Sequence, residues 1–400
     1  MKKRLLILGG SRYALPVIKA GHELGCHVIT CDYLPNNFAH RFSDEYCNVS
    51  IIEKEAVLAK ARELKIDGIM SFACDPGVVT AAYVAEQMGL PNVGPYESVR
   101  ILQNKGLFRE FLTKHGFTVP TAKGYTSVNA AVKDAEIFHW PVIVKPTDAA
   151  GSKGVTRVDD PSRLRQAIEH ALEFAHNGQF IVEDFIVQKG FSSDTDSFSV
   201  NGDLKFVSFN SQRFDAKAEN PYTPAAYSWP ASISDEHQRE LASELQRLLR
   251  LLGMRTSVYN IETREGIDGK AYIMEVSPRG GGNRLSECLR YATGVDLITN
   301  AVRGALGEET IGVEQKGYDG HWAEIVLHST HPGVFKELWI DGSLKDTVVE
   351  KDLWIQAGST VEGFTAANEA IGMLILRFEH QETLERVMSD IPHFVKVIVE

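Results

Sequence analysis

The sequence lacks the features of a disulfide-rich, zinc-binding or membrane-spanning protein. Its 400 residues include five cysteines, which are scattered and form no CxxC pair, so zinc and redox motifs have little support. No apolar stretch approaches the roughly 18 residues that a membrane-spanning helix needs. The apolar run within the opening MKKRLLILGG is too short for a secretory signal, and we therefore expect a cytoplasmic protein that does not bind membranes.

An excess of positive charge is also lacking. The chain carries 42 lysine and arginine residues against 53 aspartate and glutamate residues, and this net charge of −11 argues against a nucleic-acid partner. The glycine-rich turns match neither GxGxxG nor GxxxxGK[ST], so a dinucleotide site and a P-loop are both poorly supported. The length, with 44% hydrophobic residues, predicts two or three well-packed domains.

The first 95 residues alternate predicted strands and helices. Residues 4–8 and 26–32 have the composition of buried strands and flank a predicted helix, and a further strand and two helices follow. This order is typical of a doubly wound sheet. Residues 1–95 are therefore predicted to form a small α/β domain whose loops face a ligand.

The middle of the chain contains a strand and a glycine loop that suit phosphate binding. We predict one helix from Tyr96 to His115 and an ordered loop from Asn220 to Pro230. Between them, the apolar strand Val142–Pro146 contains a lysine, and the loop Gly151–Val155 follows. The two glycines of this loop allow its backbone N–H groups and its lysine to fold over phosphate oxygens, although such a lysine is often simply solvated.

Two acidic residues mark a predicted hairpin. Val258–Thr263 and Ala271–Val276 have the composition of strands, flank a glycine-containing turn, and hold Glu262 and Glu275. In an antiparallel pair both carboxylates can point to one face, because side chains alternate along a strand. Two such carboxylates favour a cation between them, and Mg²⁺ shared with substrate phosphates fits; the alternative is a pair of solvated residues on an exposed sheet.

A glycine-rich segment, Ser277–Gly282, follows the hairpin directly. It places the guanidinium of Arg279 and an unobstructed backbone beside the predicted metal site. Both features suit the recognition of phosphate. The last ninety residues alternate short predicted strands and turns, and they end in a strand, a helix and a strand.

Taken in order, these features resemble the ATP-grasp superfamily of carboxylate ligases over nearly the whole chain. The matching features are Asn104-Lys105, Val144-Lys145-Pro146, the loop Gly151–Val155, Glu183-Asp184-Phe185-Ile186, and Glu262 followed by Glu275 in Glu-Val-Ser-Pro-Arg. The members that look most similar are L-amino acid ligases and carbamoyl-phosphate-synthase-like or biotin-carboxylase-like proteins.

The resemblance implies a chain of α/β and α+β class with the ATP-grasp fold. A Rossmann-like N-terminal domain would cover residues 1–95. An ATP-grasp domain would cover residues 96–310, with a lid at about residues 118–190. A C-terminal α+β extension, residues 311–400, would complete the large lobe.

The resemblance also implies roles for individual residues. The residues expected to bind ATP are Lys105, Lys145, Ser152, Lys153, Gly154, Glu183, Phe185 and Ile186. Among them, Glu183 and the backbone of Phe185 and Ile186 would bind the adenine. The residues expected to hold Mg²⁺ (or Mn²⁺) are Glu262 and Glu275. The residues expected to act on the transferred phosphoryl group and the substrate carboxylate are Arg279 and Lys153.

Two positions depart from the pattern of the family. The family usually has Asn two residues after the second metal-binding Glu, whereas this chain has Ser277. Its shorter reach leaves Ser277 only a candidate metal ligand. The family also places a Glu after the adenine-binding segment to hold the ribose. Counting back from the Asn201-Gly202 turn, Asp194 is the candidate for that contact.

The implied activity is that of an ADP-forming ligase, which activates a small carboxylic acid as an acyl phosphate for attack by an amine. Two alternatives stand beside it. One is activation of bicarbonate, as in carboxylases and carbamoyl-phosphate enzymes, and the other is a catalytically silent nucleotide-binding subunit. The expected partners are small-molecule acid and amine substrates, and because relatives are often dimers, a homodimer is compatible with the resemblance.

Overall fold

A parallel sheet covered by helices forms the N-terminal part of the computed structural model, which describes residues 2–149 and 153–400. Its strands and helices are β1 (Arg4–Leu8), α1 (Leu15–Glu23), β2 (His27–Cys31), β3 (Glu45–Cys47), α2 (Lys54–Leu64), β4 (Gly68–Ser71) and α3 (Asp75–Met88). The strand order β3-β2-β1-β4 with parallel pairing is the predicted doubly wound arrangement. Four of the five residues of β1 are buried, which is typical of a parallel strand covered on both faces.

Two helices follow, α4 (Tyr96–Gln103) and α5 (Lys105–Lys114), where the sequence predicted one. That prediction is wrong because Asn104 interrupts the helix with an extended backbone (φ −118°, ψ 112°). The Asn104 side chain accepts a hydrogen bond from the backbone N–H of Leu107 at 3.0 Å. Asn104 is therefore the N-cap of α5, and Lys105 lies in the first turn of that helix.

The next segment is an antiparallel sheet with helices on one face. Its elements are β5 (Ala122–Tyr125), α6 (Val128–Lys133), β6 (Val142–Pro146), β7 (Thr156–Val158), α7 (Leu164–Glu173) and β8 (Phe180–Asp184), in the strand order β5-β8-β6-β7. Val144 and Val182 pack with Ile168 of α7 in one core cluster. Because side chains alternate along strands, Lys145 and Glu183 share the opposite face of the sheet.

The central segment supplies a second antiparallel sheet, of strand order β10-β9-β13-β14. The elements of this segment are β9 (Ser193–Val200), β10 (Asp203–Phe206), β11 (Ser211–Phe214), β12 (Pro224–Trp229), α8 (Asp235–Leu251), β13 (Ser257–Glu265), β14 (Ala271–Ser277), α9 (Leu285–Thr293) and α10 (Leu297–Ala305). Asn201 and Gly202 turn the chain between β9 and β10 with positive φ angles of 51° and 87°. Such angles are what an Asn-Gly hairpin turn requires.

The last segment completes a five-stranded sheet, β11-β12-β15-β19-β17, and a small sheet, β18-β16-β20. Its elements are β15 (His321–Leu327), β16 (Gly333–Ile340), β17 (Val348–Leu353), β18 (Thr360–Val361), β19 (Gly372–Phe378), α11 (Gln381–Ser389), α12 (Ile391–Phe394) and β20 (Val395–Val399). The prediction of an ordered loop over residues 220–230 is wrong, because these residues contain β12, an internal strand of the five-stranded sheet. Proline is tolerated there since Pro224 is the first residue of the strand.

One core cluster connects the N-terminal sheet with the rest of the molecule. It includes Ile7 of β1, Leu289 of α9 and Ile375 of β19. The loops at the carboxyl ends of β1 and β4 are thereby held against α9 and the five-stranded sheet. Over the two described ranges, we find no helix that combines the length and the apolarity needed to cross a bilayer.

Candidate active site

The two glutamates of the predicted hairpin lie directly opposite each other. Strands β13 and β14 pair antiparallel with Glu262 opposite Glu275 and Asn260 opposite Ser277. Residues that are directly opposite in an antiparallel pair point to the same face of the sheet. The predicted antiparallel pairing, with both carboxylates on one face, is therefore confirmed.

This polar face extends onto the neighbouring strand β9. Asp194 lies opposite Glu262, and Asp196 lies opposite Asn260. The amide nitrogen of Asn260 donates to Asp194 Oδ1 at 2.8 Å and to Asp196 Oδ1 at 3.3 Å. Burial, followed by the charge of Glu262, raises the pKa of Asp194 to about 7, and burial raises the pKa of Asp196 to about 6. The face therefore carries an excess of acidic groups that a cation would stabilise.

A small cavity gathers five residues that the sequence assigned to nucleotide or metal binding. They are Lys105, Lys145, Glu183, Glu262 and Glu275. The ammonium of Lys105 lies 3.4 Å from Glu275 Oε2 and donates to the carbonyl of Ala149 at 3.1 Å. Burial opposes the charge of Lys105, but Glu275 and then Asp75 outweigh it and raise its pKa, so this lysine stays cationic. Opposite charges thus converge on one opening.

Glu183 is fully enclosed between two cations. Arg109 Nε donates to one carboxylate oxygen at 2.8 Å, and Lys145 Nζ donates to the other. Burial alone would raise the pKa of Glu183, but the charges of Arg109 and Lys145 lower it to about 2. The carboxylate is therefore ionised and already engaged, which makes it a positioning group for Lys145; its predicted contact with the adenine amine stays a prediction.

The sequence did not identify Arg109 as a functional residue. A signal was present, because Arg109 lies four residues after Lys105 and therefore on the same face of α5. Its side chain is 5% exposed, and it also donates to the carbonyl of Ile273 at 3.3 Å. Arg109 thereby ties the helix that carries Lys105 to both sheets of the site.

The segment expected to line the adenine follows β8. The backbone N–H of Phe185 donates to the carbonyl of Pro141 at 2.9 Å, so that N–H is already paired. The carbonyl of Ile186 accepts from Arg264 at 3.5 Å, and the guanidinium of Arg157 lies 4.6 Å from the ring centroid of Phe185. Cationic and aromatic groups therefore flank this segment.

Part of the predicted phosphate loop can be located. Ser152 lies outside the described residues, Lys153 is exposed, and Gly154 is buried. Gly154 has a φ of +68°, and a Cβ there would lie 2.9 Å from Phe174 Cδ2 and 3.0 Å from Pro146 Cγ. Both the backbone conformation and the lack of space require glycine at this position.

Arg279 meets an acidic partner that the sequence did not single out. Its Nε and Nη2 donate to the two oxygens of Asp75 at 2.8 and 2.7 Å, a two-pronged ion pair. Burial opposes the ionisation of Asp75, but Arg279 outweighs it and lowers the pKa of Asp75. Asp75 opens α3 directly after β4, and ligands bind at the carboxyl ends of parallel strands, so its position was the available signal.

Ser277 belongs to the same network. Its hydroxyl donates to Asp75 Oδ1 at 2.8 Å and accepts from Gln103 Nε2 at 2.8 Å. The side chain is thereby turned toward α3 and α4. Its part as a metal ligand stays a prediction, whereas its part in holding Asp75, and through it Arg279, follows from these contacts.

The arrangement of acids fits a metal ion that arrives with phosphate. Within residues 2–149 and 153–400, no group of three or more His, Cys, Asp or Glu side chains is arranged to hold a metal. Glu262 and Glu275 offer a pair of carboxylates beside two lysines. Mg²⁺ commonly binds through one or two carboxylates plus substrate phosphates and water. The pair therefore suits a nucleotide-bound magnesium better than a permanently held structural metal.

Comparison with known proteins gives a consistent result. A model of the ATP-grasp domain family matches residues 138–287. The uncharacterized protein y4rH of Sinorhizobium fredii is 25% identical over 320 residues, which cover 77% of this chain and 65% of that protein. A formate-dependent phosphoribosylglycinamide formyltransferase of Synechococcus is 29% identical over 187 residues, which cover 46% of this chain and 48% of that protein. The matches thus span about half to two thirds of these relatives.

The same fold is present in a solved structure. The L-amino acid ligase from Bacillus licheniformis superposes with a TM-score of 0.80 at 19% identity, covering 100% of this chain and 99% of the other. An identity this low establishes the fold and leaves the substrates open. Residues 138–287 therefore match the ATP-grasp domain family, and the whole chain shares the fold of this ligase.

Proposed function

We propose that this protein is an ADP-forming ligase that activates a small carboxylic acid as an acyl phosphate for attack by an amine. The observation that carries the proposal is the direct opposition of Glu262 and Glu275 on one sheet face, in a cavity shared with Lys105 and Lys145. Two carboxylates and two ammonium groups around one opening suit a metal-bound triphosphate. The solvated-residue alternative accounts less well for this grouping.

In this proposal, Lys105 and Lys145 contact the ATP phosphates, and Glu262 and Glu275 hold Mg²⁺ or Mn²⁺. When bound, the ion would neutralise charge on the phosphate oxygens. Lys105 is positioned by its place in the first turn of α5 and by its ion pair with Glu275. Lys145 is positioned by its ion pair with Glu183, and Glu183 is held by its ion pair with Arg109.

The remaining nucleotide contacts are assigned by the same proposal. Glu183 and the backbone of Phe185 and Ile186 would lie at the adenine, and Asp194 at the ribose. Both Asp194 oxygens already accept from amide groups, Oδ1 from Asn260 at 2.8 Å and Oδ2 from Gln212 at 3.1 Å. A ribose hydroxyl would share or replace one of these bonds. The loop that contains Ser152, Lys153 and Gly154 would cover the phosphates.

The reaction joins two anions, and their repulsion is the main obstacle. The substrate carboxylate oxygen attacks the γ-phosphorus, the bond to the β–γ bridging oxygen breaks, and ADP leaves. The amine nitrogen then attacks the acyl carbon, phosphate leaves, and an amide forms with loss of a proton. Arg279 and Lys153 would stabilise the charge that these steps develop, and closure of the loop over residues 151–155 would exclude water.

The substrates, the location and the domain boundaries are proposed on the same basis. We propose small-molecule acid and amine substrates, a cytoplasmic location, and domain boundaries at about residues 95 and 310. The fold is compatible with a homodimer. Bicarbonate activation remains an alternative because a biotin carboxylase domain from Hydrogenobacter thermophilus shares the fold with a TM-score of 0.75.

The test is ADP release from ATP with a panel of carboxylic acids, amines and bicarbonate. The proposal predicts ADP only when an acid and an amine are both present. ADP that depends on bicarbonate would favour carboxylase-like chemistry. Binding of ATP without any ADP release across the panel would favour a silent subunit.

A further inference from the structure

A cavity of about 1050 Å³ opens between the N-terminal sheet, α9 and the five-stranded sheet. Its wall includes Tyr13 near α1, Glu287 on α9 and Trp354 after β17. At its inner end it reaches Phe72 and Gly281, and Gly281 lies two residues after Arg279. The cavity therefore leads from the surface to the proposed phosphoryl-transfer site, where an acid substrate would have to enter.

Behind this wall lies a buried carboxylate that accepts no hydrogen bond from the described residues. Glu324, in the middle of β15, is 0% exposed. Neither of its side-chain oxygens has a hydrogen-bond partner among the described residues. A buried polar group that is left unpaired costs free energy, and in a native protein it calls for a binding or catalytic explanation.

The side chain of Glu324 points toward α9 and the cavity. Trp322 and Val326, two residues before and after it, pack in the same core cluster as Leu289 of α9. Because side chains alternate along a strand, Glu324 points to that side as well. Tyr227, directly opposite on β12, belongs to this cluster too.

The surrounding groups place Glu324 next to the cavity wall. Burial, followed by the charge of Glu324, raises the pKa of Tyr13, which lines the cavity. Burial, followed by the charge of Glu287, raises the pKa of Glu324 itself well above its usual value. Glu287 on α9 lines the cavity, and Glu324 on β15 lies buried behind that wall.

Arg284, whose charge acts on Glu324, is engaged by other carboxylates. Arg284 Nε lies 3.4 Å from Glu287. Its two terminal nitrogens, however, donate to Glu350 at 2.6 and 3.0 Å and to Asp352 at 3.2 Å. One guanidinium therefore faces three other carboxylates while Glu324 remains unpaired. Glu324 therefore has no hydrogen-bonded cation within the described residues, although Arg12, Lys19 and Arg290 also line the cavity.

We propose that Glu287 and Glu324 recognise an ammonium group of the substrate that occupies this cavity. The inference rests on the proposed ligase function, and it narrows the substrate class to acids or amines that bring a positively charged nitrogen to this wall. That nitrogen can belong to the activated acid or to the attacking amine. An ammonium group supplies three donors, enough for both carboxylates.

The test is a thermal-shift titration of the full chain with MgADP present. The probes are common L-amino acids, the acids of the same carbon skeleton without the amino group, the N-acetylated forms, and the amino acid amides. We expect probes with an ammonium group to raise the melting temperature more than their uncharged counterparts. If amino acids bind and amides do not, the nitrogen belongs to the activated acid; if both bind, the attacking amine is its source.

Glu324→Gln should weaken the binding of ammonium probes by about tenfold or more, which is the expected loss for a charge-assisted contact. It should leave the binding of uncharged probes unchanged. Glu287→Gln is the second variant in case the first fails to fold, and Glu337→Gln, on an exposed part of β16, is the matched control. Loss of ammonium selectivity in the first two variants and not in the third supports the inference.

Three results would overturn it. They are equal binding of charged and uncharged probes, no ammonium probe bound by the wild type, and unchanged selectivity in both active-site variants. ADP release with the same probes separates this inference from the ligase proposal. ADP formed equally well with uncharged acids and by Glu324→Gln refutes the inference alone. Bound ATP with no ADP from any acid and amine refutes the ligase proposal.

Discussion

At the scale of single residues, buried ion pairs hold the cations of the candidate site. Asp75 engages Arg279 through two parallel hydrogen bonds, and Ser277 and Gln103 fix Asp75 from the other side. Such a pair adds little net stability, because both charges lose their hydration, but it fixes a geometry. The guanidinium is thereby oriented before a substrate arrives.

Removing one partner of this pair should be costly. Asp75→Ala leaves the guanidinium of Arg279 buried without its partner, and we expect the free energy of unfolding to fall by about 3–5 kcal/mol. Urea denaturation measures the change. Asp346→Ala, at an exposed position, serves as the control and should change the stability by less than about 0.5 kcal/mol. Equal effects of the two variants would show that the buried ion pair has no structural importance.

The depressed pKa of Glu183 gives a second prediction, concerning acid stability. Its pKa is about 2 in the folded protein against 4.5 ordinarily, so its contribution is complete above about pH 4.5 and is lost as the pH falls toward 2. The shift corresponds to about 3 kcal/mol. Glu183→Gln should therefore differ most from the wild type near neutral pH, and the difference should shrink toward pH 2.

The measurement is the free energy of unfolding by denaturant at a series of pH values between 2 and 7. Other carboxyl groups titrate in both proteins, so the difference between the two curves isolates the contribution of Glu183. A difference that stays constant over the whole pH range would mean that Glu183 is not held ionised by Arg109 and Lys145.

At the scale of elements, a turn before β7 depends on glycine for two separate reasons. Gly154 has a positive φ, and its missing side chain makes room for Phe174 and Pro146. Gly178 has nearly the same φ, +67°, and no atom within 4 Å of the position of a Cβ. The two glycines therefore separate the cost of the backbone conformation from the cost of the steric overlap.

Gly154→Ala should destabilise the protein more than Gly178→Ala does. Both variants bear the strain of a positive φ, about 1 kcal/mol, and overlap with Phe174 and Pro146 adds about 1–3 kcal/mol to the first alone. Thermal unfolding of both variants checks this difference. An equal loss in both would mean that the turn moves freely away from α7.

The elements also show what sequence patterns can and cannot predict. The β13–β14 hairpin was predictable because its alternation and its glycine turn act locally. The break at Asn104 was missed because apolar residues continue on both sides of it, while a single capping side chain decides where α5 begins. Strand β12 was missed because prolines within residues 220–230 outweighed its apolar residues, although its neighbours β11 and β15 determine its conformation.

At the site itself, the residues of the matching motifs could be named, but their partners could not. Asp75 and Arg279 are 204 residues apart in sequence, and Arg109 and Glu183 are 74 apart. Such pairs form only when parts of the chain that are distant in sequence meet in the folded protein. Nor does any local pattern show that Glu324 is buried with no hydrogen-bond partner in the described part of the chain, because its burial depends on strands before and after it.

At the scale of the whole molecule, two sheets line the small cavity, and a third leads to an acidic residue whose charge acts on Lys105. The sheet β5-β8-β6-β7 supplies Lys145 and Glu183, and the sheet β10-β9-β13-β14 supplies Glu262 and Glu275. The N-terminal sheet leads into Asp75. A nucleotide bound between these parts would bring their charges together around its phosphates. Binding of magnesium and ATP should therefore depend on one another through the two glutamates.

The most direct test of this account is calorimetric titration of ATP with Mg²⁺ and, separately, with EDTA. For the wild type we predict that Mg²⁺ tightens ATP binding by about tenfold or more, which is at least about 1.4 kcal/mol. Glu275→Gln and Glu262→Gln should lose most of this magnesium-dependent gain, whereas Glu337→Gln should keep it. Full magnesium dependence in both active-site variants would contradict the central claim that the paired glutamates hold the metal of a bound nucleotide.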